Sequence, residues 1–529
     1  MIRPEIFTLL TALVCAMAGG WTVWRASDLP RGFRVALTAV TAVAALVATL
    51  AASALWLSQA ADPWNAARLA PSVALHHGYK LYYPLDTGPV LSTVVGPVAF
   101  LAYWPIGFLN GSPSVLILAA SALNLIAFGL VMCALLRRAG ADAAETFIGA
   151  LVVLQLALFY PSLRYSVFNV HADAPAILLA ATGLFALCRS TGELSWRDAA
   201  LAALCFTLAT WAKQSLALVF VAAILALALR EGWRAAVRFI GASAIIGTTI
   251  SLIFVGWYGL DTLRMNMFSV PAGHPWLRMD FATGEVYRTI EVTGTLGHLK
   301  TAVSAMLHLV RQNWPLFALF GVVLGERLLR RGPGERWWPR TPWAVFVLMA
   351  LVMLPTVAIG RVKLGGEENH ESFSQFFLCA ALGLWLVDRS ADRRLRLARA
   401  GAVAAVLLLL NLPFAGRLPH AHQLARDNQN ETALRYERAH PDLVFFPWNP
   451  LTSLLSTGKL YHFDYGVFDR NLGGATVSAG HIAEAMPSPR PIIASYIAHH
   501  DHILRTYFPE YVSLPPDPEL PDWKLYGPP

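Results

Sequence analysis

The stretch ADPWNAARLAPSVALHHGYKLYYPLDTGPVLSTVVGP, residues 61–97, decides how the rest of the chain is read. It follows an apolar run that ends near Ser58, yet it carries Asp62, Arg68, His76, His77, Lys80 and Asp86, too many polar groups to lie in lipid. It is therefore a long loop at one face of a membrane, beginning on an aspartate and closing on the Pro/Gly-rich YYPLDTGP. Bare connections between helices take fewer residues, so functional groups account for its length.

The chain has 529 residues, 56% of them hydrophobic and 14% charged, with a mean hydropathy of +0.50. These values exclude an ordinary soluble globule and indicate a polytopic membrane protein. The first apolar run, Ile6 to Trp24, follows Arg3 but has no small-residue cleavage site and leads straight to a second run. It reads as a retained helix rather than a signal peptide. A net charge of +8 raises nucleic acid as a partner. The arginines, however, cluster in short loops beside apolar runs, which is the orientation signal of membrane insertion, and nucleic-acid binding is discounted. Cys15, Cys133, Cys188, Cys205 and Cys379 all lie in apolar runs without a CxxC partner, so neither a disulfide nor a thiolate metal site is expected.

Spans are expected at 6–24, 35–58, 114–136, 145–160, 172–188, 198–212, 214–229, 236–257, 310–328, 342–360, 371–387 and 400–414. That makes an α-helical membrane protein of about twelve transmembrane helices. Six basic groups then share one side, the cytoplasmic one by the positive-inside rule. They are Arg25, Arg31 and Arg34; Arg137 and Arg138; Arg189 and Arg197; Arg230 and Arg234; Arg327, Arg330, Arg331 and Arg336; and Arg389, Arg393, Arg394 and Arg396. Keeping this parity requires Pro89 to Leu109 to lie along the outer face as an interfacial helix. It also requires Ala199 to Leu229 to form a hairpin whose turn, at Lys213, sits below the outer surface and faces protein or a wet cavity. Residues 1–414 form the membrane domain, with outer segments 61–113, 161–172, 258–305 and 360–371. The tail, 415–529, has strand-like runs at 443–446 and 491–497 and no span, and is expected to be a small soluble α/β domain on the outer side.

Charges near or within spans cost about 2.5–3.5 kcal/mol each at a helix centre, so each needs a reason. Asp62, at the outer end of the second span with Pro63 next, is either a helix terminator or, since a carboxylate there opposes the helix macrodipole, a general base that takes a proton from a hydroxyl. Asp173, next to His171 in FNVHADAP, is either a helix cap or part of a site. Lys213 in TWAKQS either snorkels or binds an anion at the sunken turn. Arg361, Lys363, Glu367, Glu368, His370 and Glu371, in GRVKLGGEENHESF, make either a solvated loop or a third part of that site.

This order of parts resembles the GT-C glycosyltransferases, most nearly the protein-mannosyltransferase and aminoarabinose-transferase branches, over about residues 55–390. By that resemblance the fold is GT-C-like with a periplasmic C-terminal domain. Asp62 matches the catalytic aspartate, and GYKLYYPL, from Gly78 to Leu85, matches the segment that follows it. Tyr82, Asp86, His171, Asp173, Glu368 and His370 then join the substrate contacts. The chain departs from the pattern in having Pro63 after Asp62, and DTGP where the aminoarabinose branch has Lys-Pro-Pro. Lys80, Lys213, Arg361 and Lys363 are the cations left to hold a donor phosphate.

The resemblance implies transfer of a sugar from a lipid-linked, polyprenyl-phosphate donor to an acceptor glycan, lipid or protein, in a bacterial inner membrane with the site outside. Such chemistry is physically sufficient here, because phosphate leaves as a stabilised anion and needs cations to hold it and one base opposite. Metal dependence stays open. The GGEENHE loop with Asp62 and Asp173 offers a place for Mg or Mn. His499 to His502, with His462, Asp464 and His481, is either a ligand set or a surface histidine cluster. The alternative function is a transporter or flippase of lipid-linked sugars or other solutes, though such proteins are often built from internal repeats, and none is visible.

Overall fold

Pro30 in an extended conformation and Asp142 in a reciprocal bond pair with Glu145 show how the apolar runs are started as helices. The structure is a computed structural model and describes residues 4–26, 28–188, 194–280, 283, 285–329, 338–366, 368–496 and 501–529. Arg3, Arg189, Arg330, Arg331, Arg336, Glu367, His499 and His500, all named above, lie outside the described residues, as does the side chain of Glu368.

Helices α1 (Pro4–Trp24) and α2 (Arg31–Ser58) pack on each other. The first outer segment then holds two short helices, α3 (Pro63–Ala74) and α4 (Pro97–Leu101). Next come α5 (Pro113–Arg138) and α6 (Ala143–Phe159), which bends by 106° into α7 (Pro161–Phe168). Pro161 explains the bend: it lacks an N–H and forces Tyr160 out of helical geometry, to φ −76° and ψ 117°. The chain continues through α8 (Asp173–Leu187), α9 (Trp196–Ala212), α10 (Leu218–Arg230) and α11 (Trp233–Tyr258).

The second outer segment contains α12 (Leu260–Arg264), α13 (Val270–Gly273) and an antiparallel pair, β1 (Trp276–Met279) and β2 (Val286–Val292), before the amphipathic α14 (Thr295–Gln312). Four apolar helices follow: α15 (Trp314–Leu329), α16 (Pro342–Arg361), α17 (Ser372–Leu386) and α18 (Arg393–Ala415).

Among the described residues, six helices are long and apolar enough to cross a membrane, or seven if the bent α6–α7 pair is one span. The chain is thus a multi-pass membrane protein. Five further helices at expected spans are shorter, α8 with 15 residues, α9 with 17, α10 with 13, α15 with 16 and α17 with 15. At 1.5 Å per residue they reach about 20–26 Å. Two of them end beside one cavity, α9 at Lys213, which lines it, and α8 at Asp173, buried behind its wall; there the backbone can leave the helix because protein surrounds it.

Two expected segments differ in detail. Residues 89–109 are not one interfacial helix: 90–95 are irregular, with a tight turn from Thr93 N–H to the Leu91 carbonyl at 2.9 Å, and only α4 and a turn at Trp104–Phe108 are helical. The Gln214 side chain donates to the Val94 carbonyl at 2.9 Å, and Gly96 lies against the Trp211 carbonyl too closely for any side chain, so this segment is bound to the end of α9 and the break that follows. The 199–229 segment does break at Lys213, which is extended at φ −146°. Its arms diverge, α9 packing on α8 and α11 and α10 on α16 and α11.

The tail carries α19 (Leu418–Arg426), α20 (Gln429–Ala439), α21 (Pro450–Thr457), α22 (Asp464–Leu472), α23 (Ala479–Glu484) and α24 (His502–Tyr507). Between them a four-stranded sheet has the order β3 (Val444–Phe445), β4 (Ile492–Ser495), β6 (Lys524–Gly527), β5 (Val512–Ser513), with only β3 and β4 parallel. This part grips the first outer segment through its backbone. Asn430 donates to the Ala60 carbonyl at 2.7 Å, Phe463 N–H to Val90 at 2.9 Å, and Arg470 to Leu85 at 3.2 Å. Irregular backbone must satisfy its carbonyls somewhere, and here the tail supplies the donors.

Candidate active site

Asp62 sits where α2 gives way to α3, and its local role differs from the expected one. It is the N-cap of α3 rather than an ill-placed C-terminal residue of α2: its Oδ1 accepts from Trp64 N–H at 2.9 Å, with Pro63 at the first helical position. The macrodipole of α3 therefore favours its charge. No protein donor among the described residues reaches its other oxygen. Burial pushes its pKa above the usual carboxylate value, and the Arg68 guanidinium opposes that rise.

Asp62 opens on a cavity of about 1100 Å³. Four cations line it, Arg68, Arg164, Lys213 and Lys363, together with His171, His274 and His370 and one further carboxylate, Asp469. Trp64, Tyr165, Tyr465 and Phe468 supply aromatic faces. A smaller cavity of about 450 Å³ in the tail, among Asp427, Arg435 and Glu519, holds none of the expected residues.

Behind the wall, three stretches of the chain, 166–173, Lys213 and Asn369, meet at Asp173, which is fully buried. Lys213 forms an ion pair with its Oδ1. Its Oδ2 accepts from Asn369 at 2.7 Å and Ser166 at 3.2 Å and lies 2.7 Å from His171 Nδ1. The carboxylate is thus committed to partners and caps nothing; the N-cap position of α8 is Ala172. His171 is set from the other side, since Asn65 of α3 accepts from Val170 N–H at 2.8 Å. Burial lowers the pKa of His171, against the pull of Asp173. His370 is likewise held well below its usual value by burial and by Lys213.

Lys363 is mounted differently. Its flanking residues pair with the β1 region, Leu277 N–H to Val362 at 2.7 Å and Leu364 N–H to Pro275 at 3.0 Å. Its Nζ donates to the carbonyls of Pro271 at 2.7 Å and Ala272 at 3.3 Å. No carboxylate among the described residues neutralises it. The Gly-Gly turn that follows depends on Gly365 at φ 81°, in the left-handed region open to glycine.

The other expected residues lie apart from the cavity lining. Lys80 and Asp86 are exposed on the first outer segment. Tyr82 is buried beneath it, donating to the Val95 carbonyl at 2.5 Å with its ring edge-on to Tyr258. Arg361 is 3.2 Å from Glu371.

The structure adds residues the sequence did not single out. Arg68 donates to the Tyr165 hydroxyl and lies 4.8 Å from the Trp64 ring centre; it stands within the quoted loop, on the helix that Asp62 caps. Arg164 rests on Phe414 at 4.7 Å. Asp469 comes from the tail, with no local signal of its role.

A divalent cation held by Asp62 and Asp173 does not fit this donor set, because both oxygens of Asp173 already accept from Lys213, Asn369 and Ser166. Among the described residues no group of three or more His, Cys, Asp or Glu is placed to hold a metal. In the tail, His462 and His481 are engaged with backbone at Val90 and Gly88, and Asp464 accepts from the first N–H groups of α24.

No protein-family model matches this chain, and no curated protein sequence does. The fold is similar to that of ArnT from Cupriavidus metallidurans, crystallised bound to undecaprenyl phosphate, with a TM-score of 0.50 and 12% identity over 94% of this chain and 98% of that one. The oligosaccharyltransferase of Archaeoglobus fulgidus, in its apo form, aligns with a TM-score of 0.38 and 12% identity over 76% of this chain and 58% of that one. The likeness to ArnT shows a shared fold over nearly the whole of both chains.

Proposed function

We propose that this chain is a glycosyltransferase that moves a sugar from a polyprenyl-phosphate donor to an acceptor hydroxyl at the outer face of a bacterial inner membrane. The observation that carries the reading is one carboxylate, Asp62, sharing a cavity with Arg68, Arg164, Lys213 and Lys363. A fold shared with a protein crystallised with undecaprenyl phosphate supports a donor of that class.

In this reading the acceptor oxygen attacks the anomeric carbon, its proton passes to Asp62, and the bond from that carbon to the phosphate oxygen breaks. The electron pair leaves with the lipid phosphate, which cations stabilise. Lys363 and Arg68 suit that task best, since Lys213 is already matched by Asp173. His171 and His370 remain to contact sugar hydroxyls, and Asp173 acts as a positioning residue behind them. The membrane arrangement that goes with this has about twelve crossings, with short helices around the cavity, and the tail as an extracytoplasmic α/β domain.

The test is transfer from radiolabelled polyprenyl-phosphate sugars in membranes holding the wild type or Asp62→Asn at matched expression. Transfer by the wild type that the variant loses supports the reading. Equal transfer by both removes Asp62 from the reaction, and flux of intact donor without transfer turns the reading to a transporter.

A further inference from the structure

At the cavity wall supplied by the tail, Asp469 of α22 faces His274, which follows α13. Asp469 is 2% exposed and His274 8%. Asp469 Oδ2 accepts from Ser92 at 3.1 Å, leaving Oδ1 without a hydrogen-bond partner. His274 Nδ1 lies 3.0 Å from the Leu364 carbonyl, an acceptor, so that nitrogen carries the proton and Nε2 is the lone-pair end. Nε2 makes no hydrogen bond of good geometry, although the backbone of Asp469 lies near enough to act on the ring. The two atoms stand 3.7 Å apart, beyond hydrogen-bond reach, on the surface of the same cavity as Asp62.

Two buried acceptors facing one another are costly unless a ligand brings protons to them. We propose that Asp469 and His274 form a subsite for adjacent hydroxyl groups of a sugar ring, resting on the transferase reading above. Hydroxyls suit it better than an ammonium group. Burial raises the Asp469 pKa to about 7, so near neutrality the carboxyl exists in both forms, and Lys363 already lends positive charge to His274. A hydroxyl both donates and accepts, and so serves either form. Phe468 and Tyr465 line the cavity beside the pair, which suits the C–H faces of a pyranose.

The sugar is either the one carried by the donor or one on the acceptor, and binding separates them. Full-length protein in nanodiscs is titrated with undecaprenyl phosphate, with undecaprenyl phosphate bearing glucose, mannose or arabinose, and with the corresponding methyl glycosides in the presence of undecaprenyl phosphate. The variants are Asp469→Asn and His274→Gln, near-isosteric changes chosen to keep the wall folded. Expected is wild-type affinity for bare undecaprenyl phosphate in both variants, with a loss of about ten-fold or more in either the gain due to the attached sugar or the binding of the glycoside. The first result assigns the subsite to the donor sugar, the second to the acceptor. Unchanged sugar dependence in both variants, or a wild type that gains nothing from any sugar, overturns the subsite alone. A wild type that does not bind undecaprenyl phosphate overturns the transferase reading as well.

Discussion

Lys213 and Asp173, 40 residues apart, meet as a buried ion pair that joins the break after α9 to the first residue of α8. Asp173 is fully buried and Lys213 only 5% exposed, at the cavity wall, so each charge depends on the other. Lys213→Met leaves an uncompensated carboxylate and is expected to destabilise the protein by about 3–5 kcal/mol. Adding Asp173→Asn to that variant recovers part of the loss, because the two changes are coupled. Thermal unfolding of the single and double variants in detergent checks this.

Arg68 lowers the pKa of Asp62 against the effect of burial. A base acts only when deprotonated, so raising its pKa moves the acid limb of the rate profile to higher pH. Arg68→Met is expected to shift that limb upward by about one unit, measured as transfer rate against pH. No shift, with transfer intact, assigns the limb to another group.

Lys363 is held by two backbone carbonyls and has no carboxylate partner among the described residues. Lys363→Met is expected to raise KM for a lipid-phosphate sugar by about ten-fold or more, from loss of a charge-assisted contact. Equal KM in steady-state assays with purified protein relieves Lys363 of that role.

Three buried acids of the tail have raised pKa values, Asp464 to about 8, Asp469 to about 7 and Glu437 to about 7. Between their unfolded values near 4 and these folded values, the folded state binds more protons than the unfolded one. Stability of the tail therefore falls as pH rises from about 4 to about 8. Hydrogen exchange of tail amides at pH 5.5 and pH 8, corrected for intrinsic rates, is expected to show greater protection at the lower pH.

Gly466 of α22 rests on the first outer segment, where an added Cβ would come within 2.5 Å of the Leu91 carbonyl carbon and 2.8 Å of Ser92 N. Gly466→Val is expected to cost about 1–3 kcal/mol and to loosen α22 from the cavity wall. Limited proteolysis near residue 90 reports the loosening.

What the sequence made visible was its charge at apolar boundaries. Asp62, His171, Lys213, Lys363 and His370 stood out because lipid tolerates few such groups, and all five line one cavity. The fold shared with ArnT was anticipated by the family resemblance of this order of parts, not by the charges alone. Asp469, Tyr465 and Phe468 were not, since they reach the cavity by contacts such as Ser92 with Asp469, 377 residues apart, which leave no local pattern. Asp62 as an N-cap was missed for a different reason: the turn between α2 and α3 is only Gln59–Ala61, so one residue ends the first helix region and opens the next. Short helices stand where spans were expected at 172–188, 198–212 and 214–229, and at the cavity protein rather than lipid covers the ends of α8 and α9.

The grip of α22 on the first outer segment has a consequence for the order in which the molecule is made. Asp62 leaves the ribosome about 400 residues before Asp469, an interval of about 20–80 s at ordinary rates of synthesis. Throughout that time a nascent chain can thread its helices and expose its aspartate, but one side of the chamber is missing. The chamber around Asp62 is therefore closed only once α22 has been made and has docked on the first outer segment, so its completion waits on nearly the last of the chain.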